Sequence, residues 1–124
     1  MSVIRVIAKR RDFLLLSASG LKFVKPSVIV QARKRDESTI LPSDIRIGFT
    51  ATKRLGGAVI RNKAKRRMRH AVSELVEEFG VCGYDYVFIA RELAYKGEFT
   101  VLLKDVRHAL RWLRDRINEA NSNL

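Results

Sequence analysis

Six of the nine residues from Arg61 to Arg69, reading RNKAKRRMR, are basic and none is acidic. No other stretch of the chain carries charge so densely. A guanidinium binds phosphate oxygens in bidentate fashion, and an ammonium acts as a compact point charge. The chemistry such a run can do is therefore recognition of a polyanion. Just upstream, Lys53, Arg54, Gly56 and Gly57 form a basic, flexible approach. If the run opens a helix, its unpaired first-turn N–H groups add further attraction for phosphate. Groups for acid–base or metal chemistry are sparse. His70 and His108 have no evident carboxylate partner in the sequence, and the single cysteine, Cys82, belongs to no Cys/His pattern with metal-ligand spacing.

The whole chain agrees with that polyanion reading. Its 124 residues hold 25 Lys+Arg against 13 Asp+Glu, a net charge of +12, beyond what solubility requires. Residues 1–70 hold 18 basic and 4 acidic residues, +14, whereas residues 71–124 hold 7 and 9, −2. The excess is thus expected on a face built from the first part of the chain, and nucleic acid is the commonest partner for such a face. A lone cysteine and the absence of a long apolar run point to a reducing, cytoplasmic setting without membrane insertion or secretion.

Positioning the basic run requires a scaffold. From Ala58 to Phe79 the residues Ala64, Met68, Ala71, Val72, Leu75 and Phe79 recur at helical spacing, with Gly80 as terminator. The cations then sweep round the opposite side, so the helix can pack and still present its charge. Lys9 to Ser17 predicts a short helix ending near Gly20, with Asp12 in its first turn and Phe13 and Leu16 as apolar contacts. Val28–Arg33, Ile45–Thr50 and Tyr84–Ala90 read as strands. Alternation sends Val28, Val30, Ala32, Ile45, Ile47 and Phe49 to the core and leaves Ile29, Gln31, Arg33, Arg46 and Thr50 on an oddly mixed second face. Lys34 to Thr39, with Pro42 and Ser43, predicts a loop. Thr100 is placed to cap a last helix with Leu102, Val106, Leu110, Leu113 and Ile117 as its stripe, and Trp112 reads as packing rather than chemistry. The expected whole is a single domain over residues 1–124, an α+β fold in which one sheet is sandwiched with helices in the order α-β-β-β-α-β-α.

The stretch IGFTATKRLGGAVIRNKAKRRMR, Ile47 to Arg69, resembles the signature of the bacterial ribonuclease P protein family, in which a Gly-x-Ala-Val element precedes an Arg-Asn-Arg motif on a basic helix. RRDF at Arg10–Phe13, VIVQAR at Val28–Arg33 and DYVFIAR at Asp85–Arg91 extend the likeness. Lys63 stands where the motif usually has its second Arg, keeping charge without the planar fork, and Gly57 stands where Asn is common. The resemblance implies a left-handed βαβ crossover shared with a ribosomal domain. It implies a protein that assists a catalytic RNA in removing the 5′ leader of precursor tRNA, with no protein-borne catalytic residue or metal, and with magnesium required by the RNA-containing holoenzyme. The partners implied are ribonuclease P RNA and precursor tRNA, one protein per RNA, and no DNA. Lys53, Arg54, Arg61, Asn62, Lys63, Lys65, Arg66, Arg67 and Arg69 map to the catalytic-RNA surface. Phe13, Ser17, Ile29, Gln31, Arg33, Arg46 and Thr50 map to a cleft for the 5′ leader. The rival readings are a ribosomal protein, separated only by the Arg61–Arg69 motif; a DNA-binding regulator, which lacks a helix-turn-helix; and a stand-alone hydrolase, which lacks catalytic groups.

Overall fold

The computed structural model describes residues 4–7, 10–35 and 44–122. The elements run β1 (Ile4–Val6), α1 (Arg10–Ser19), β2 (Leu21–Val24), β3 (Val28–Lys34), β4 (Ile45–Thr50), a 3₁₀ turn (Lys53–Leu55), α2 (Ala58–Phe79), β5 (Tyr84–Ala90), α3 (Leu93–Lys96) and α4 (Phe99–Ser122). The five strands form one mixed sheet in the order β1-β4-β5-β3-β2. β4 and β5 are parallel neighbours joined through α2, while β3 pairs antiparallel with both β5 and β2.

Alternation along the strands sorts side chains into two faces. Val28, Val30, Ala32, Ile45, Tyr86, Phe88 and Ala90 meet the stripes of α2 (Ala64, Met68, Ala71, Val72, Leu75, Val76, Phe79) and α4 (Leu102, Val106, Ala109, Leu110, Leu113, Ile117) in the main core. Both stripes match the expected periodicity, and α2 keeps its expected ends. Ile7, Leu16 and Val87, flanked by Phe13 and Ile89, make a smaller cluster under α1 on the opposite face. Three layers result: α1, the sheet, then α2 beside α4. Ile47 and Phe49 pack against the main core but remain half-buried.

Three local expectations, on Thr100, β1 and α3, are corrected. Thr100 lies inside α4, which starts one residue earlier; the carbonyl of Glu98 accepts from the N–H of Val101 at 3.1 Å, so the backbone closes the first turn and no Thr cap is used. Gly80 ends α2 as expected, in an ordinary extended conformation (φ −68°), and it supplies space, since a Cβ there would press on the Val76 carbonyl and sit 2.9 Å from Ile45 Cδ1. The strand β1 and the short α3 have no counterpart in the expected order. Of the expected helix and loop, Lys9 and residues 36–43 lie outside the described residues.

Candidate nucleic-acid interface

The basic helix is built as its periodicity requires. Ala64 and Met68 are fully buried, whereas Asn62, Lys63, Arg66, Arg69 and His70 are exposed and Arg61, Lys65 and Arg67 are half-buried. Gly57 precedes the helix in extended conformation, with no side chain capping the first turn and no acidic residue within it, so positive potential there is uncompensated. Gly56 sits at φ 148°, a left-handed value that only glycine takes easily, and a Cβ there would also press on Ile60. Lys53 and Arg54 are exposed in the preceding turn. Seven of the nine residues expected on this surface, all but Arg67 and Arg69, have no side-chain partner among the described residues.

Arg67 and Arg69 are partly committed inside the protein. The Arg67 guanidinium donates to the carbonyls of Gly97 (2.6 Å) and Tyr95 (3.4 Å), tying the α3–α4 junction to α2. It is a structural tether more than a phosphate ligand. The Arg69 guanidinium lies over the Phe49 ring, 5.6 Å from its centroid, and Phe49 in turn stacks on Phe88.

The second expected site is gathered by strand register into three rows on one face of the sheet. Arg33, Asp85 and Arg46 form the first row, Gln31, Val87 and Gly48 the second, and Ile29, Ile89 and Thr50 the third. α1 crosses this face, with Leu16 buried and Phe13 and Ser17 one helical turn apart. Gln31 is only 7% exposed and has no side-chain hydrogen bond among the described residues, leaving its amide available as donor and acceptor.

Arg46, also expected on this face, is engaged by carboxylates within the protein. Its Nε donates to Asp85 at 2.8 Å, its Nη2 makes a second bond to the same carboxylate, and its Nη1 reaches Asp12 on α1 at 3.3 Å. The hydrogen bond with Asp85 outweighs the burial that opposes it and raises the Arg46 pKa above the ordinary value. This fork engages two carboxylates and anchors α1 to the sheet. Arg35 joins the same group, bonding Asp85 at 3.2 Å and the Asp44 carbonyl at 2.9 Å.

Two residues outside the expected set shape the cleft. Gly48 lets the Phe13 ring rest on the strand: a Cβ there would stand 2.7 Å from Phe13 Cε1 and Cζ. A glycine inside an otherwise alternating strand was the visible signal, because it marks close approach of another group. Ile7 continues the floor, its N–H bonding the Ile47 carbonyl at 2.8 Å. β1 pairs only with Ile45–Ile47, so the rest of β4 has an open edge. A groove of about 370 Å³ passes this edge, lined by Val6, Ile7, Phe13, Ile47, Phe49, Arg69 and Ser73. It therefore joins the wall of α1 to the basic face of α2.

No helix among the described residues is long and apolar enough to cross a membrane.

The sequence profile of the family described as Ribonuclease P matches residues 1–114. Among similar proteins, the ribonuclease P protein component of Ruegeria pomeroyi is 44% identical over 113 residues, covering 90% of this chain and 88% of the relative. That of Paramagnetospirillum magneticum is 35% identical over 105 residues, covering 85% and 79%. The solved structure of the Staphylococcus aureus RNase P protein superposes with a TM-score of 0.70 at 26% identity, over 86% of this chain and 93% of that one. The Thermotoga maritima RNase P protein gives 0.71 at 25% identity, over 87% and 96%. The α+β architecture expected from the sequence is the fold of these proteins. With the profile spanning nearly its whole length and relatives matched along most of theirs, the chain belongs to the ribonuclease P protein family.

Proposed function

We propose that this chain is the protein subunit of a ribonuclease P holoenzyme, holding the catalytic RNA on α2 and the 5′ leader of precursor tRNA in the cleft between α1 and the sheet. The observation that carries this reading is the groove at the β4 edge, because Phe13 from the cleft and Arg69 from the basic helix line the same wall. RNA on α2 and a single strand in the cleft would then meet at one place, near the bond to be cut.

Each surface suits its ligand. Lys53, Arg54, Asn62, Lys63, Lys65 and Arg66 offer charge and hydrogen bonds without bases to read, which fits the phosphates of a folded RNA. Arg61 and Arg69 border them. Phe13, Ile29, Gln31 and Thr50 offer a ring, apolar contact and an amide, which fits unstacked bases. Arg33 lies at the end of that face, and Ser17 on the helix above it.

The protein's contribution is positioning and charge neutralisation; bond cleavage belongs to the RNA, with magnesium bound by the holoenzyme. Among the described residues, no three or more His, Cys, Asp or Glu side chains come together as a metal-binding group. The assembly we propose is one protein per RNA, in the cytoplasm.

Separate titrations test the two-surface arrangement. Lys63→Ala with Arg66→Ala should weaken binding to ribonuclease P RNA and leave discrimination between leader-bearing and leaderless tRNA intact. Gln31→Ala should do the reverse. Equal effects of both variants on both measurements would refute the division of labour.

A further inference from the structure

The charge balance of residues 71–124 is −2, yet α4 carries a cationic stripe. Lys104, Arg107 and Arg111 stand at i, i+3 and i+7 on one face of the helix, with His108 at i+4 among them, and all four are exposed. Lys25, from the turn joining β2 to β3, completes the group: its Nζ lies 3.0 Å from His108 Nδ1. An ammonium only donates, so the imidazole accepts there. Together these residues and Asp105 line a concavity of about 550 Å³.

The single carboxylate in this concavity is already occupied. Asp105 is 7% exposed and accepts from the N–H (3.1 Å) and hydroxyl (2.6 Å) of Ser27, with Lys25 3.9 Å away. Lys104, Arg107 and Arg111 have no ion-pair partner among the described residues; Asp115, one turn beyond Arg111, pairs with Arg114. Holding unpaired like charges along one helix face is unfavourable unless an anion neutralises them.

Strand order sets this patch apart from the surfaces described above. α2 and the groove lie at the β4 side of the sheet, whereas Lys25 belongs to the β2 edge at the other end. The nearby aromatics are engaged. Phe23 and Trp112 stack with centroids 4.7 Å apart, His108 meets Phe23 edge-on at 5.2 Å, and Arg116 lies over Trp112 at 5.1 Å. No ring is left open for stacking bases.

We propose that Lys25, Lys104, Arg107, His108 and Arg111 form a second RNA-binding surface, which takes the phosphate backbone of a double-stranded segment. The inference rests on the RNA-binding reading of the chain but not on α2. The stripe from residue 104 to 111 spans about 10 Å at 1.5 Å per residue, enough to follow a backbone past more than one phosphate.

The test uses the full-length protein and a blunt RNA duplex of roughly 20 base pairs, with affinity followed against salt; each phosphate that is no longer neutralised should flatten the log–log slope by about 0.9. The triple variant Lys104→Ala/Arg107→Ala/Arg111→Ala should flatten it by about 2 to 3. Combined with Lys63→Ala/Arg66→Ala on α2, the effects should add. Arg107→Glu alone serves as a second variant if the triple one folds poorly, and should weaken duplex binding at least fivefold. An unchanged slope in the triple variant, or equal competition by inorganic phosphate at matched ionic strength, overturns the inference. If the α2 variant binds more weakly in that same experiment, the RNA-binding reading survives; if neither variant changes the slope, both readings fall.

Discussion

Substituting Gly48 by alanine should disturb the cleft through one contact. The added Cβ would lie 2.7 Å from Phe13 Cε1 and Cζ and 3.3 Å from Ile7 Cβ, closer to the ring than real Cβ atoms come. The ring cannot simply retreat, because α1 is held by buried Leu16 and by the Asp12–Arg46 bond. Overpacking of this kind costs about 1 to 3 kcal/mol, which for a chain of this size lowers Tm by roughly 4 to 12 °C. Displacing Phe13 should also weaken binding of a single-stranded leader oligonucleotide, by up to the ~1 to 3 kcal/mol of one stacked base. Phe13→Leu removes the two clashing atoms. In a thermal-melt double-mutant cycle, Gly48→Ala should therefore cost much less in the Phe13→Leu background, with a coupling of about 1 kcal/mol or more. Melting of Gly48→Ala within about 1 °C of the parent, or strict additivity with Phe13→Leu, would refute the claim that this glycine exists to admit the ring.

Other outcomes follow from single residues. Arg67→Ala, which severs the bonds to Tyr95 and Gly97, should lower urea-unfolding stability by about 1 to 3 kcal/mol, whereas exposed Arg66→Ala should stay within about 0.5 kcal/mol while costing more RNA affinity. Gly57→Asn meets open space, with nothing within 4 Å of the new Cβ; a side-chain cap for α2 should add a few tenths of a kcal/mol, measurable by chemical denaturation. Burial pushes the Tyr86 hydroxyl up to about 12. The folded state then keeps its proton where the unfolded chain gives it up, so stability should be full below about pH 10 and fall between about pH 10 and 12, by at most roughly 1.4 kcal/mol per pH unit. Tyr86→Phe should flatten that decline, read from denaturation midpoints across the range.

The long elements were legible because a single pattern specified them. Ala64, Met68, Ala71, Val72, Leu75 and Phe79 define one helical stripe, and Tyr84–Ala90 is an apolar run bounded by Gly83 and Arg91. β1 was not legible, since three residues carry no periodicity and form a strand only through distant pairing with Ile45–Ile47. The mixed face of β3 and β4 was recognised, but its partners were not. Asp85 comes from the far side of α2, and only register places it between Arg33 and Arg46, where it pairs with Arg46. Charge summed along the chain likewise concealed the α4 stripe. Acidic residues elsewhere in that half cancel it arithmetically, and Lys25 reaches it only through the fold.

Cleavage of precursor tRNA by a bacterial ribonuclease P RNA at low magnesium, measured with and without this chain, decides whether it serves as the subunit of that enzyme. Strong stimulation that requires the RNA is expected, with the protein alone inactive. Absence of stimulation, or cleavage by the protein without RNA, would contradict that role.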